Sequence, residues 1–222
     1  MMLLVSRSSS SYHHGDLVTA LETAAFELLA EQGHAALSLR EVARRAGVSH
    51  NAPYHHFGDR TALLHHLAEA AMGRLLAAQQ QALERAEGAD AVERGVALGI
   101  AYTGWAVANP NAFAVVFDPA VCVPGQPTGE MGPLIAENER LLAETVAALA
   151  GGDPGGVAAV TSWAAVHGLA ELVIAGHVPV EAAEPAIRSL MTALSPAHGG
   201  LNPFNSRSQA GAMMGPWRPT PL

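Results

Sequence analysis

Residues 37–67, LSLREVARRAGVSHNAPYHHFGDRTALLHHL, decide the fold. Ser38 followed three residues later by Glu41 is a capping box, which predicts a helix beginning at Leu39. Leu39, Val42, Ala43 and Ala46 recur at helical spacing, while Arg40, Glu41, Arg44 and Arg45 take the other faces. Gly47 ends the helix, since glycine takes a left-handed C-terminal cap at little steric cost. Val48 fills the turn and Ser49 can cap the next helix. That short second helix, His50 to Phe57, carries polar or small side chains where a core helix carries leucines. This is the layout of a helix-turn-helix, whose second helix lies in the DNA major groove.

Working outward, LREVARRAGVSHNAPYHHFGDRTALL resembles the DNA-binding core of TetR/AcrR-type transcriptional repressors. The AGVS turn, the Tyr-x-His-Phe run at 54–57, and Arg60 with Leu63 and Leu64 carry the resemblance. Upstream, YHHGDLVTALETAAFELLAEQG at 12–33 is similar to that family's first helix. Downstream, SWAAVHGLAEL at 162–172 is similar to the Trp-His-Gly signature of one group of its C-terminal domains. The resemblance implies a homodimer on a pseudo-palindromic operator, with recognition helices roughly 34–36 Å apart. Carried over by position, Arg40, His50, Asn51 and Ala52 face base edges. Ser38, Ser49, Tyr54, His55, His56 and Arg60 hold backbone phosphates, which position without specifying. The family also packs its last two long helices against their copies as a four-helix bundle. Ala158, Ala164, Ala165, Gly168, Ala175 and Gly176 are small enough for such packing.

Composition agrees with an all-α chain: 222 residues, half of them apolar, few aromatics, and no alternating runs of β-branched residues. The net charge of −8 looks wrong for a DNA binder until it is divided. Residues 1–66 hold five arginines against six carboxylates, a net of −1; residues 67–222 hold seven against fourteen, a net of −7. Within 38–60 there are four arginines and two carboxylates, a local +2, which is a modest patch for phosphate contacts. The single cysteine, Cys122, leaves no internal disulfide or Cys-rich zinc site. The apolar run at the start is too short for a signal peptide, and no stretch reaches ~18 uninterrupted apolar residues, so a cytoplasmic, soluble protein is expected.

The expected domains are a disordered arm at 1–11, a helix-turn-helix domain at 12–67, a helical effector-binding and dimerisation domain at 68–195, and a disordered tail at 196–222. Tyr12, His13 and His14 either touch phosphate or form a solvated flank. An amphipathic helix from Asp16 to Gly33 completes the three-helix core with Leu17, Leu21, Ala24, Ala25, Leu28 and Leu29. Pro53, four residues after Ser49, removes the first intrahelical hydrogen bond. The second helix therefore starts a residue late with His50 as cap, or its first turn is distorted. Arg60 places a positive charge at a helix's positive end, a conflict that a bound phosphate resolves; an exposed ion pair is the alternative. A helix from Asp59 to about Glu87 spans ~40 Å at ~1.5 Å per residue. Asp90 with Glu93 caps the next, which runs to Ala108. A short apolar helix ends before Pro119, and 118–132 is a loop of lid-like length. Further helices start at Pro133, at Asp153-Pro154 and at Pro185.

The functional expectation is a repressor released from its operator by a small apolar molecule, with no cofactor or metal. Candidate pocket residues are Tyr102, Trp105, Phe113, Phe117, Met131, Trp163 and His167. Trp163 and His167 share a helix face, and they either line that pocket or pack the core, with His167 bonded to a group such as Glu171. An enzyme on a helical bundle is the rival, yet no His-x-x-x-His pair with a suitable Glu and no repeated Glu-x-x-His is present. A DNA-binding or docking protein without an effector is the third reading.

Overall fold

The computed structural model describes residues 14–196, with side chains from Leu17 onward. The expected arm, Tyr12, His13, the side chain of His14 and the tail beyond Pro196 lie outside the described residues. Nine α-helices make up the described chain: α1 His14–Gln32, α2 Leu39–Ala46, α3 Ala52–Phe57, α4 Arg60–Arg85, α5 Ala91–Ala108, α6 Pro110–Phe117, α7 Met131–Ala150, α8 Val157–Ile174 and α9 Ala183–Leu194. A 3-10 turn at Val180–Ala182 leads into α9. No strand occurs among the described residues. The chain divides into two compact units between Leu67 and Ala68.

In the first unit, Leu21, Ala25, Leu28 and Leu29 of α1 are buried with Leu39, Val42 and Ala43 of α2 and with Leu63, Leu64 and Leu67 from the start of α4. Ser38 Oγ accepts from the Glu41 amide at 3.3 Å, so half of the capping box forms. The Glu41 carboxylate does not complete it, because it pairs with Arg44 instead. Gly47 closes α2 at φ +66°. The second helix of the motif is shorter than its composition predicts. It begins at Ala52, with Asn51 as N-cap and Pro53 at the second helical position. The preceding residues form a turn in which the Ala52 amide donates to the Ser49 carbonyl. Pro53 thus stands where a missing N–H costs no helix bond.

In the second unit, α5 packs against α7, α8 and α9. Asp90 caps it as predicted, its Oδ1 accepting from the Glu93 amide at 2.9 Å. Two glycines let α9 come close. A Cβ on Gly95 would lie 2.9 Å from Met191 Sδ, and one on Gly99 2.7 Å from Ile187 Cγ2. Arg188 of α9 then pairs with Glu93 of α5. Helix α8 begins three residues beyond the predicted Pro154. Gly155 and Gly156 take positive φ, and Asp153 reaches across that turn to accept from the Ala158 and Ala159 amides at 3.0 and 2.9 Å. The loop after α6 is also tied down: Thr128 donates to Glu69 and accepts from the Met131 amide, which starts α7 two residues before Pro133.

Candidate functional site

Two sets of side chains matter, one in each unit. In the first, Ser38, Arg40, Ser49, His50, Asn51, Tyr54, His55, His56 and Arg60 are all exposed, and Ala52 is half-buried. Pro53 of α3 is buried and Ala52 and Phe57 are half-buried, which leaves Tyr54, His55 and His56 open for something other than the unit's own core. Tyr54 keeps 49% of its surface open, a large value for an aromatic ring. His56 sits edge-on to Phe57 at 4.5 Å, and Phe57 lies 5.3 Å from His66 of α4, whose Nε2 approaches Glu22 at 3.5 Å.

The basic patch is thinner than its composition suggests. Arg44 is bound to Glu41, and Arg45 to both Glu31 and Glu27, two carboxylates that lie outside 38–60. These bonds hold the Glu31 and Glu41 carboxyls below the usual range. Arg60 differs from its expected role. Its Nε donates to the Leu37 carbonyl at 2.9 Å, and one terminal nitrogen donates to those of His34 and Ala35 at 2.7 and 3.1 Å. The charge at the start of α4 is therefore answered by carbonyls of the turn before α2. Among the described residues of this segment, Arg40 is the arginine without such a partner.

In the second unit, five of the seven candidate pocket residues come together. The Tyr102 hydroxyl is hydrogen-bonded to His167 Nδ1 at 2.7 Å and accepts from Trp163 Nε1 at 3.4 Å. Phe113 and Phe117 pack on the imidazole at ring-centre distances of 5.2 and 4.7 Å. Burial raises the Tyr102 phenol and lowers His167, with the Glu171 charge opposing the second shift. A proton kept on the phenol and a neutral imidazole protonated on Nε2 satisfy this bond. His167 thus bonds to Tyr102 rather than to Glu171. Trp105 and Met131 stand apart: Trp105 is half-buried and joins no ring in the cluster, and Met131 is buried in the first turn of α7.

Beside Tyr102 and Trp163 lies a cavity of about 30 Å³. Its wall includes Gln79 of α4, Leu98 of α5, Asn138, Leu142 and Val146 of α7, Ser162 and Val166 of α8, and Met191 of α9. Gln79 Oε1, Asn138 Oδ1 and Ser162 Oγ are buried there without a hydrogen-bond partner. Sequence reasoning missed these three, although a signal existed. Gln79 stands at helical spacing between the buried Leu75 and Leu83, and Ser162 between the buried Ala158 and Val166.

Residues 22–67 match the family described as bacterial regulatory proteins, tetR family, and residues 95–194 match the tetracyclin repressor-like C-terminal domain. A Rhodococcus protein of unknown function is 33% identical over 84% of this chain and 97% of its own, with a TM-score of 0.70. The chain belongs to the TetR family. Its folded relatives include the regulator PfmR of Thermus thermophilus, 24% identical with a TM-score of 0.54 over 79% of this chain and 93% of that one. The regulatory protein SCO4313 is 23% identical with a TM-score of 0.61 over 85% and 98%. No curated protein matches the chain. The TetR assignment makes this an all-α, DNA-binding transcriptional regulator with a helix-turn-helix. The matched C-terminal description does not single out the Trp-His-Gly group to which 162–172 is similar.

Proposed function

We propose that this TetR protein is a homodimeric, cytoplasmic repressor, not an enzyme, that leaves a pseudo-palindromic operator when a small molecule enters its C-terminal unit. The observation that carries the DNA half is α3, a helix whose one buried side chain is Pro53. Arg40 of α2, His50 and Asn51 of the turn that leads into α3, and the half-buried Ala52 are the side chains for base edges. The exposed Ser38, Ser49, Tyr54, His55 and His56 take phosphates, which fix register without reading sequence. Arg60 acts mainly by holding the turn before α2, its remaining terminal nitrogen being the part left for a phosphate.

Helix α8 supports the homodimer. It is long and apolar enough to cross a membrane by length and composition alone, yet much of it is exposed. Val157, Val160, Ala164, Ala165 and Leu172 are open, while Ala158, Ser162, Val166, Ala170 and Val173 face the core. Nothing approaches a Cβ placed on Gly168 within 4 Å. A soluble chain covers such a stripe with another helix, and a second α8 fits it. Ala158, included among the small residues expected at this contact, belongs to the core instead, at 5% exposure.

Fluorescence anisotropy on DNA flanking the protein's own gene, with salt titrated, tests the reading. Wild-type protein binds one sequence selectively and loses affinity as salt rises. Arg40→Ala weakens that binding about tenfold, on the order of 1–3 kcal/mol for a base contact. Binding indifferent to sequence and to Arg40→Ala and Tyr54→Phe would remove the DNA half of the proposal.

A further inference from the structure

The cavity in the second unit poses a physical problem that its aromatic neighbours do not. Gln79 is 4% exposed and Ser162 1%, and each presents a polar atom without a partner. Asn138 Oδ1 does the same from α7. All three line one small space between helices. Burying an unpartnered polar atom is costly, and native cores hold few of them. Three converging on one cavity are not explained by packing, since an apolar side chain of similar shape would serve each position better.

The wall also lacks something. None of its side chains carries a charge at neutral pH: beside the three orphaned groups it has Thr145, the Tyr102 phenol, the Trp163 indole and aliphatic residues. Thr145 is already engaged, its hydroxyl donating to the Leu141 carbonyl at 2.8 Å. A carboxylate or an ammonium entering here would leave water with no opposite charge to meet it. The two amide oxygens accept hydrogen bonds and call for donors, while the Ser162 hydroxyl can accept or donate. At about 30 Å³ the space is that of roughly one water, so a larger guest must part the walls.

We propose that Gln79, Asn138 and Ser162 form the polar end of the effector site, and that the effector is an uncharged molecule with a hydrogen-bond-donating head, such as an alcohol or a primary amide, on an apolar body. The head donates to one or both amide oxygens and bonds the Ser162 hydroxyl. The body lies along Leu98, Leu142, Val166 and the Tyr102–Trp163 wall. This deepens, and rests on, the reading of the second unit as the effector-binding part. It narrows the expected ligand from simply apolar to neutral and donor-bearing.

The test uses the full-length chain without DNA, so that it is separate from operator binding. Thermal unfolding and tryptophan fluorescence are measured with 1-octanol and octanamide as neutral donors and with octanoate and octylammonium as charged congeners. Wild type, Gln79→Met and the double variant Gln79→Met/Ser162→Ala are compared. Without ligand, the variants hold or raise the melting temperature, by about 2–4 °C for each orphaned atom removed. In wild type, octanol or octanamide binds saturably at least tenfold tighter than either charged congener, and the double variant loses that binding at least tenfold. The proposal is overturned by any of four outcomes. The variants melt at lower temperature, meaning that the atoms are satisfied by a structural water. A charged congener binds as well as the neutral ones. Neutral binding survives in the double variant. No probe binds saturably. If octanoate alone both binds and releases DNA, the repressor reading stands and this one falls. If octanol binds as described and no operator is found, the reverse holds.

Discussion

The two units differ in how many of their buried polar groups are answered. Before Leu67, the demanding backbone ends are answered by side chains: Ser38 and Gly47 close the ends of α2, and Arg60 holds three carbonyls of the turn before it. After Ala68 the helix ends are met too, with Arg94 donating to the Leu83 and Ala86 carbonyls at the end of α4. Yet Gln79, Thr103, Asn138 and Ser162 each leave a polar atom unpartnered inside this unit, where the described residues of the first unit leave only His66 Nε2. A unit whose buried polar groups are nearly all answered favours one low-energy arrangement. A unit with unmet acceptors has a reason to rearrange when a donor arrives, and the differential affinity of that donor is what shifts a population.

The largest effect expected in breaking this contrast is Arg60→Ala. Losing a charged donor to three carbonyls costs about 1.5–3 kcal/mol, read as a lower urea midpoint. The salt dependence of DNA binding sharpens the comparison. Arg60→Ala lowers its slope by about 1, through the terminal nitrogen left for a phosphate, whereas Arg40→Ala, as a base contact, chiefly relaxes sequence selectivity. An unchanged slope for Arg60→Ala would mean that the guanidinium serves the turn alone.

Gly99→Ala comes next. Its Cβ would meet Ile187 Cγ2 at 2.7 Å, and overpacking of that order costs about 1–3 kcal/mol. Gly104→Ala in the same helix is the control, because its Cβ meets nothing within 4 Å; it gains roughly 0.5–1 kcal/mol from helix propensity. Equal behaviour of the two would show that the approach of α9 is loose.

The smallest effect is a pH dependence. His167 sits below its ordinary value because burial disfavours the charged ring. The unfolded chain therefore binds the proton more readily. The stability that His167 contributes is fully present above about pH 6.5 and is lost as pH falls from there towards the folded value. The melting temperature of His167→Gln falls less between pH 7 and pH 5.5 than that of wild type. An identical fall would place the acid sensitivity on other histidines.

What the sequence made legible was local chemistry. Ser38 with Glu41, Gly47, and Asp90 with Glu93 act within a turn of where they stand, so spacing alone locates them. Pro53 announced a difficulty correctly, but its resolution, a six-residue helix behind a turn, depended on which carbonyl the Ala52 amide would find. Arg60 could not be read this way, since its partners belong to a turn that only tertiary folding brings near. The aromatic residues show the same divide. Helical spacing put Trp163 and His167 on one face but could not say that Trp105 joins no ring of that cluster, or that Met131 starts a helix. Gln79 was hidden by chemistry, because a glutamine within Gln79-Gln80-Gln81 reads as solvated surface unless its place on the leucine stripe is weighed first.

Helix α8 has a consequence for how the protein is made. Ribosomes release the chain from its N-terminus at about 5–20 residues per second. When α8 emerges, α5 and α7 already exist, so its inner side has a bed at once. The outer stripe of Val157, Val160, Ala164 and Leu172 has none until a sister chain arrives, on the dimer proposed above. Several ribosomes on one message hold such sister chains side by side. Until such a chain pairs with it, that stripe is open to chaperones and to the wrong neighbour.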